Sequence, residues 1–339
     1  MHRRQDNARH PYRPDPMAQR SKRFAPGRFA PRLFAPRLFA PRYWPSWLAV
    51  GVTWLLGKLP LRGQRSLASW LADRLADSGN SRIAVVRRNL ELCFPELSEP
   101  ERRQLARDHL HSVVLLGFDL LNLIWGSRDK LLGTSRIEGR EHLDAALAAG
   151  APLLLVTGHF TTFLTALAAL SEIMPFHVVY RRMDNPVLEQ QLYQRGARKF
   201  PLVPIHRKEI RRMLRELGES GVVAILPDQD FGLNRGVFVP FFGIATATIT
   251  AIPQYAAQSG ARVLLFSSWR EGDGVVIKLE PMLEHYPSGD DVADTHRWSD
   301  WLEAQVRHHP ADYFWLHKRF KTQPPGEPDR YRQRAPAHD

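Results

Sequence analysis

The chain has 339 residues and a net charge of +12, from 47 Lys and Arg against 35 Asp and Glu. Residues 1–43 carry +9 of that charge and the rest of the chain only +3, which argues against a nucleic-acid-binding protein. A single cysteine, Cys93, excludes a disulfide scaffold and a cysteine-based zinc site. No uncharged apolar run reaches about 18 residues, which excludes a polytopic membrane protein.

The first 43 residues are rich in Arg and Pro, and Phe-Ala-Pro recurs there four times at a spacing of five. Regular prolines forbid a continuous helix, so the segment 1–43 is predicted to be a disordered tail. Two interpretations stay open. The tail lies on an anionic membrane, each cation contributing about 1 kcal/mol, or it is a linker without a role. A second loose tail is predicted over 326–339.

The fifteen residues 43–57 carry no charge and include Trp44, Trp47 and Trp54. Tryptophan suits the headgroup layer of a bilayer, but the run is shorter than the roughly 20 residues of a spanning helix. We therefore predict one membrane anchor over 44–62, as either a short span or an interfacial helix. The alternative is a helix of the core.

The remaining chain is predicted to be helical first and mixed afterwards. In the helical part, 63–148, Ser98 and Glu101 form a capping-box pattern that starts a helix over 99–125. In the part 149–325, strands alternate with helices, which is typical of an α/β fold with a largely parallel central sheet flanked by helices. The predicted strands are 152–157, 177–180, 222–226, 261–269 and 275–280; the predicted helices are 160–172, 186–199, 208–217, 248–259 and 295–309.

Active sites of open α/β sheets lie at the carboxyl ends of strands. The strand 152–157 ends in Gly158 and His159, directly before a predicted helix. A helix N-terminus disfavours the protonated imidazole, so His159 is a candidate general base. The alternative is a histidine at a helix entry with a satisfied hydrogen bond.

Two further strand ends carry charged side chains. Arg181 follows one strand and can bind an oxyanion or a phosphate. Asp228 and Asp230 follow another, where turn and capping roles are the alternative.

Two aromatic or apolar segments border cations. The segment 235–243 is apolar and begins with Arg235, which suits an acyl chain with a polar head. The segment 313–322 mixes aromatic rings with cations and fits an interface to anionic lipid, or a helix end.

Seven segments occur in the order typical of one family, and from about residue 41 to residue 331 the chain resembles the bacterial lipid A acyltransferases. The segments are Arg-Asn-Leu-Glu-Leu-Cys-Phe-Pro-Glu at 88–96, Gly-His-Phe at 158–160, Tyr-Arg and Asp-Asn-Pro within 180–186, Arg-Lys-Glu at 207–209, Pro-Asp-Gln-Asp-Phe-Gly at 227–232, Val-Phe-Val-Pro at 237–240, and Trp-Leu-His-Lys-Arg-Phe-Lys-Thr at 315–322.

The resemblance implies a membrane anchor and an acyltransferase domain over 63–325, on the cytoplasmic side of the bacterial inner membrane. It implies an acyl carrier protein as donor and, as acceptor, a hydroxyl of an acylated, phosphorylated glucosamine disaccharide, near anionic lipid. No metal and no cofactor are implied. The implied catalytic residues are His159 as general base, Arg181, Asp228 and Asp230. The implied substrate-binding residues are Arg182, Asp184, Asn185, Arg235, Phe238, Pro240, His317 and Arg319.

The chain departs from the family motif at one position. That motif is His, four residues, then Glu or Asp, but Leu164 stands at the acidic position after His159. No carboxylate occurs between Asp144 and Glu172, and loss of the equivalent group in a serine triad lowers turnover about 10⁴-fold. The alternative function is therefore an impaired paralogue that binds lipid without transfer. Five side chains could orient the ring instead: Thr161, Thr162, Asp184, Asp228 and Asp230.

Overall fold

The structure, a computed structural model, describes residues 35–219, 221–234 and 236–332. Its first part is helical. The helices are α1 (Trp44–Lys58), α2 (Leu61–Ala76), α3 (Ser81–Cys93), α4 (Glu99–Trp125) and α5 (Arg128–Leu132). The carboxylate of Glu101 accepts the backbone N–H of Ser98 at 2.7 Å at the start of α4, so the predicted capping box and helix 99–125 are confirmed.

In the second part, strands alternate with helices as predicted. The strands are β1 (Arg136–Glu138), β2 (Leu153–Val156), β3 (Phe176–Tyr180), β4 (Leu202–His206), β5 (Val222–Ile225), β6 (Gly236–Phe241), β7 (Ile244–Ile249), β8 (Arg262–Glu271) and β9 (Gly274–Met282). The helices are α6 (Arg140–Ala148), α7 (Phe163–Ile173), α8 (residues 186–197, with a π-helical middle), α9 (Ile210–Gly218), α10 (Ala251–Ser259) and α11 (Asp291–His308).

Within the described residues, seven strands form one sheet in the order β1-β9-β8-β2-β5-β3-β4. Neighbours run parallel except β8 and β9, which form an antiparallel pair. The predicted fold class, α/β with a largely parallel sheet, is confirmed. Because β5 lies between β2 and β3, the carboxyl ends of these three strands stand side by side.

Hydrophobic cores cover both faces of the sheet. Side chains alternate along β2, so Leu153 and Leu155 belong to the core beneath α6 and α7. Leu154 and Val156 belong to the core shared with α9, α10 and α11. Residues 153–156 are all buried, as expected for a central strand covered on both sides.

Two strands that contain proline, β4 and β6, are not among the predicted strands. Pro204 lies in β4, which is an edge strand of the sheet, and Pro240 lies in β6 of a two-stranded hairpin with β7. Proline is tolerated at such edges because its missing N–H faces outward. The predicted helix over 248–259 was wrong at its start, since β7 extends to Ile249 and α10 begins at Ala251.

Both predicted tails are partly ordered. Residues 35–43 form two short 3₁₀ turns, each opened by a proline, and Leu38 is buried there. The Phe39 ring stacks on Trp47 at 5.0 Å, which explains why the end of the repeat packs. Near the other terminus, the Tyr331 hydroxyl donates to Asn89 at 2.6 Å. The remaining parts of the predicted tails, 1–34 and 333–339, lie outside the described residues.

The segment predicted as an anchor, 44–62, contains α1, a helix of fifteen residues, and the first two residues of α2. Across the part of the chain that the structure describes, no helix combines the length and the apolar character needed to cross a bilayer. The spanning alternative for the anchor is therefore not supported.

Candidate active site

The loop that carries His159 is held by the C-terminal segment of the chain. The His159 carbonyl accepts the N–H of Phe314 at 2.9 Å, and the Asp312 carbonyl accepts the N–H of Thr161 at 2.7 Å. Between them, Phe160 and Tyr313 form an antiparallel bridge. The backbone of His159 is thus fixed by a pairing more than 150 residues away in sequence, which local patterns could not predict.

His159 forms a pair with Asp228 across neighbouring strands. Nδ1 of His159 lies 2.5 Å from Oδ1 of Asp228, and the His159 N–H donates to Oδ2 at 2.9 Å. Val156 and Ile225 are register partners, so each member of the pair lies three residues beyond matched strand positions. Gly158 allows this approach, because a Cβ there would lie 2.5 Å from Leu302 and 3.4 Å from Oδ2 of Asp228.

The carboxyl of Asp228 is buried and ionised. Burial raises its pKa, but the His159 ring, the two hydrogen bonds from His159 and the charge of Arg319 outweigh burial and hold the pKa below its usual range. Burial, together with the nearby Asp228 carboxylate, raises the pKa of Tyr313. An ionised acceptor at Nδ1 favours the imidazole tautomer whose Nε2 carries a free lone pair.

The His159 imidazole is partly exposed to solvent. The amide nitrogen of Gln229 lies 3.4 Å from Nε2, and the His159 side chain is 26% exposed against 2% for Asp228. The Phe163 ring packs edge-on against the imidazole, with centroids 6.1 Å apart. This arrangement of an oriented, accessible imidazole with a buried carboxylate behind it is suited to general-base chemistry.

Asp230, predicted as catalytic, holds the loop 227–232 to the C-terminal segment. Its carboxylate accepts the N–H of Thr322 at 2.6 Å and the Thr322 hydroxyl at 2.8 Å. Its own N–H donates to Nε2 of His317 at 3.0 Å, and burial lowers the pKa of that histidine to about 4. Asp230 and the predicted substrate-binding His317 therefore join two segments beside the His159–Asp228 pair.

Arg319, also predicted to bind substrate, is buried behind the site with 1% exposure. Its guanidinium donates to the Ala247 carbonyl and to the Thr248 hydroxyl, each at 2.9 Å. These bonds fix a positive charge in the interior, where it helps to keep Asp228 ionised.

The residues predicted at the end of β3 lie at the surface. Arg181 and Asp184 are exposed and form an ion pair at 3.5 Å, and Arg182 is exposed beside them. Since β5 separates β3 from β2, the end of β3 is about 10 Å from the end of β2. Asn185 caps α8 by accepting the N–H of Val187 at 3.0 Å, which is a structural role.

The three remaining predicted substrate-binding residues are Arg235, Phe238 and Pro240. Arg235 lies outside the described residues. Phe238 is half-buried and Pro240 is exposed on β6. Neither of these two belongs to the lining of the apolar cavity described below, so their role in binding an acyl chain stays a prediction.

The threonines that could have oriented the imidazole have other partners. The Thr161 hydroxyl contacts Asp312 at 3.2 Å and Ser112 at 2.6 Å. The Thr162 hydroxyl lies 2.7 Å from the Ser268 hydroxyl. Of the five side chains considered, Asp228 is the one that bonds His159.

A buried polar cluster beneath the His159 loop was missed by sequence reasoning. The Asp312 carboxylate accepts the Ser112 hydroxyl at 2.5 Å and the Arg270 N–H at 3.0 Å, and Arg270 pairs with Asp119 at 2.6 Å. Burial raises the pKa of Asp119, while Arg270 opposes that shift. The available signal was the presence of Ser112 and Asp119 within the mostly apolar second half of α4.

An apolar cavity of about 370 Å³ opens at the carboxyl ends of β3, β4 and β5, beneath α9 and α10. The loop that follows β5 and carries Asp228 forms one of its sides through Leu226 and Phe231. Three exposed charged side chains, Arg207, Lys208 and Glu209, also line it. The other apolar lining residues are Val179, Ile205, Ile210, Met213, Ile225, Ile249, Ala251 and Tyr255.

An α/β protein with an oriented histidine beside an apolar cavity has the parts of an acyl-transfer enzyme, and comparison with known proteins agrees. The family model for bacterial lipid A biosynthesis acyltransferases matches residues 32–322. The chain belongs to this family and is an acyltransferase.

Several relatives from Escherichia coli (strain K12) align along most of the chain. The lipid A biosynthesis lauroyltransferase is 35% identical, over 85% of this chain and 95% of the relative. The palmitoleoyltransferase is 28% identical over the same shares. The myristoyltransferase is 24% identical, over 86% of this chain and 91% of the relative.

Proposed function

We propose that this acyltransferase moves a fatty acyl chain from acyl carrier protein to a hydroxyl of a lipid A precursor or a related glycolipid. The observation that carries the proposal is the His159–Asp228 pair at the strand ends, with Nδ1 and Oδ1 2.5 Å apart, beside the apolar cavity. The names of the relatives support the acceptor class.

His159 acts as the general base in this proposal. Its Nε2 takes the proton of the acceptor hydroxyl, and the oxygen attacks the carbonyl carbon of the acyl thioester. The tetrahedral intermediate then collapses, the carbon–sulfur bond breaks, and the proton on Nε2 passes to the departing thiolate. Asp228 stabilises the imidazolium that exists between the two steps, and such proton transfer contributes about 10²–10⁴ in rate.

The alternative, an impaired paralogue, rests on Leu164. The carboxylate of Asp228, in the loop after β5, already contacts the imidazole, so it provides the negative charge that Leu164 does not. This geometry favours an active enzyme.

The apolar cavity receives the acyl chain in this proposal. Most of its lining residues are apolar, and its side nearest the catalytic pair is the loop after β5. Each buried methylene contributes about 0.8 kcal/mol, so a cavity closed by side chains favours chains that fill it and opposes chains that exceed it.

The helix α1 is proposed to lie in the membrane interface, with the catalytic domain on the cytoplasmic side of the bacterial inner membrane. Trp44, Leu48 and Leu55 are 65%, 72% and 61% exposed on this helix, a spacing of about one helical turn and then two. Exposed apolar side chains of this size on one helix mark a contact surface, and tryptophan favours the headgroup layer. The exposed face would hold the enzyme at the bilayer that contains its acceptor.

The decisive experiment measures acyl transfer by the purified full-length protein, with lauroyl acyl carrier protein and a phosphorylated, acylated glucosamine disaccharide. Wild type is expected to transfer, and His159→Ala to lose at least about 10³-fold in kcat. The matched control is His308→Ala, which removes an exposed histidine at the end of α11, and this variant should keep full activity. An inert wild type would contradict the function, and an active His159→Ala variant would contradict the base assignment.

A further inference from the structure

A group of exposed cations stands at the edge of the apolar cavity. Arg207 and Lys208 border it directly, and Arg211 follows in the first turn of α9. The N–H of Arg207 donates to the Tyr180 carbonyl at 2.9 Å, which brings the end of β3, with exposed Arg182, beside these residues. We call Arg182, Arg207, Lys208 and Arg211 the basic rim.

The charge of this rim is not balanced by an ion pair to any described residue, although the carboxylate of Glu209 also lines the cavity. Arg212 pairs with Glu209 at 2.9 Å and Arg215 lies 3.5 Å from Glu216, so the acidic side chains of α9 and its entry are used on other arginines. Among the residues that the structure describes, no carboxylate lies within ion-pair distance of the three rim cations at 207, 208 and 211. The chain beyond residue 43 has a net charge of only +3, so this local excess stands out.

Apolar side chains are exposed beside the rim. Phe231, which also lines the cavity, is 49% exposed, and Met183, next to Arg182, is 38% exposed. Aromatic rings, methionine and arginine are the residue types enriched where proteins meet. The edge of the cavity thus combines an apolar centre with a positively charged border.

We propose that the basic rim is the docking surface for the acidic acyl carrier protein, whose acyl chain enters the cavity that the rim borders. This inference rests on the proposed function. The acyl chain arrives covalently attached to its carrier, so the carrier must sit where the chain enters. Carriers of this kind are acidic, and a cluster of unpaired cations attracts an acidic partner and accelerates encounter.

The test compares two donors that carry the same acyl chain. The full-length variant Arg207→Glu/Lys208→Glu is assayed with lauroyl acyl carrier protein and with lauroyl pantetheine, which has no protein carrier. We expect KM for the protein-borne donor to rise about tenfold, and more at low salt than at high salt. The KM for lauroyl pantetheine should change far less than the KM for the protein-borne donor.

A control variant distinguishes an effect on carrier docking from an effect of the protein's total charge. Arg82→Glu/Arg262→Glu changes the total charge equally at two exposed sites away from the rim, and it keeps the wild-type KM for both donors. The proposal is overturned if the rim variant leaves KM for the carrier-borne donor unchanged, or raises KM for both donors alike. It is also overturned if the rim variant loses binding to anionic phosphatidylglycerol vesicles and not to the carrier, because the rim would then face lipid.

A binding measurement tests the docking surface even if the enzyme shows no transfer activity. If wild type transfers from neither donor, the proposed function fails, and titration of the protein with lauroyl acyl carrier protein decides the docking surface alone. A Kd that rises about tenfold for the rim variant, and not for the control variant, supports the surface. Equal Kd values for both variants and wild type overturn it.

Discussion

The carboxylate of Asp228 approaches Nδ1 of His159 to 2.5 Å, although 69 residues separate the two in the chain. The contact exists because β2 and β5 are parallel neighbours whose ends lie level. A buried acid therefore stands behind the imidazole even though Leu164 occupies the acidic position of the family motif. This relationship determines what each substitution near the site is expected to do.

Asp228→Asn should remove most of the activity while the protein stays folded. The amide keeps the size of the side chain but cannot stabilise an imidazolium, and in a serine triad the same change lowers turnover about 10⁴-fold. We expect kcat to fall by about 10³–10⁴, measured alongside the thermal midpoint. Asp230→Asn is the contrasting variant. It should lower the thermal midpoint more than kcat, because the Asp230 carboxylate holds Thr322. Near-normal kcat in Asp228→Asn would refute the role of the pair.

Leu164→Glu should not increase activity. If Asp228 already provides the negative charge at the ring, a second carboxylate in the first turn of α7 adds nothing to catalysis. It also places polar atoms at a half-buried position. Unchanged or reduced kcat is therefore expected, with Leu164→Gln as the uncharged control. A clear gain for the glutamate variant alone would show that the native protein lacks an effective acid.

The sequence indicates which residues lie at this site better than it indicates which of them form contacts. His159 and Asp228 were each found because both follow apolar strands, and the parallel sheet explains why strand ends matter. Their pairing depends on β5 lying next to β2, a strand order that no local pattern reports. The same positional reason predicts a catalytic role for Asp230, but its bonds to Thr322 involve a segment 92 residues further along the chain, which no strand pattern indicates.

Apolar composition was a weaker guide than strand position. The segment 235–243 reads as a hydrocarbon wall, but its described part forms β6 and the turn to β7, and this hairpin contributes Ile249 of β7 to the cavity, whose other walls come from β3, β4, β5, α9 and α10. One of these strands, β4, was hidden by Pro204, which an edge strand tolerates.

Stability should fall as pH drops below neutrality, in part because of His109. Burial lowers the pKa of this ring to about 4, with an opposing effect of its bond to the Ala311 carbonyl. The unfolded chain therefore binds more protons between about pH 6.5 and 4, and the free energy of unfolding decreases as pH falls through that window. The loss is at most about 3 kcal/mol for this ring. Urea unfolding at several pH values measures it.

His109→Asn is the control for this pH dependence. The amide can still donate to Ala311, but it does not titrate, so the variant loses some stability at pH 7 and shows a shallower slope below pH 6.5. An identical slope in wild type and variant would show that other groups govern acid unfolding.

Membrane association should depend on the exposed face of α1. Leu48→Ser with Leu55→Ser removes two large apolar contacts, and binding to vesicles of phosphatidylethanolamine and phosphatidylglycerol should weaken at least about tenfold in co-sedimentation. Leu75→Ser on α2, where the side chain is 37% exposed, serves as control and should bind normally. Equal binding by all three proteins would contradict an interfacial role for α1.

The size of residue 213 should set the preferred acyl chain. Met213 on α9 is 3% exposed and faces the apolar cavity of about 370 Å³. Met213→Trp fills part of that space, so activity should shift to shorter donors. Met213→Ala lengthens the space and should shift activity to longer ones. The measurement is kcat/KM for a series of acyl carrier protein donors from ten to sixteen carbons, where each methylene that the cavity accommodates contributes about 0.8 kcal/mol.

Loss of stability alone would not produce such a shift, and Leu217→Ala provides the comparison. Leu217 lies one turn later on α9, is fully buried and does not line the cavity. Its truncation should destabilise the protein by about 2–5 kcal/mol and lower activity for every donor in the same proportion. The two Met213 variants should instead move the optimum in opposite directions. If both kept the wild-type chain preference, the donor chain would have to bind outside this cavity.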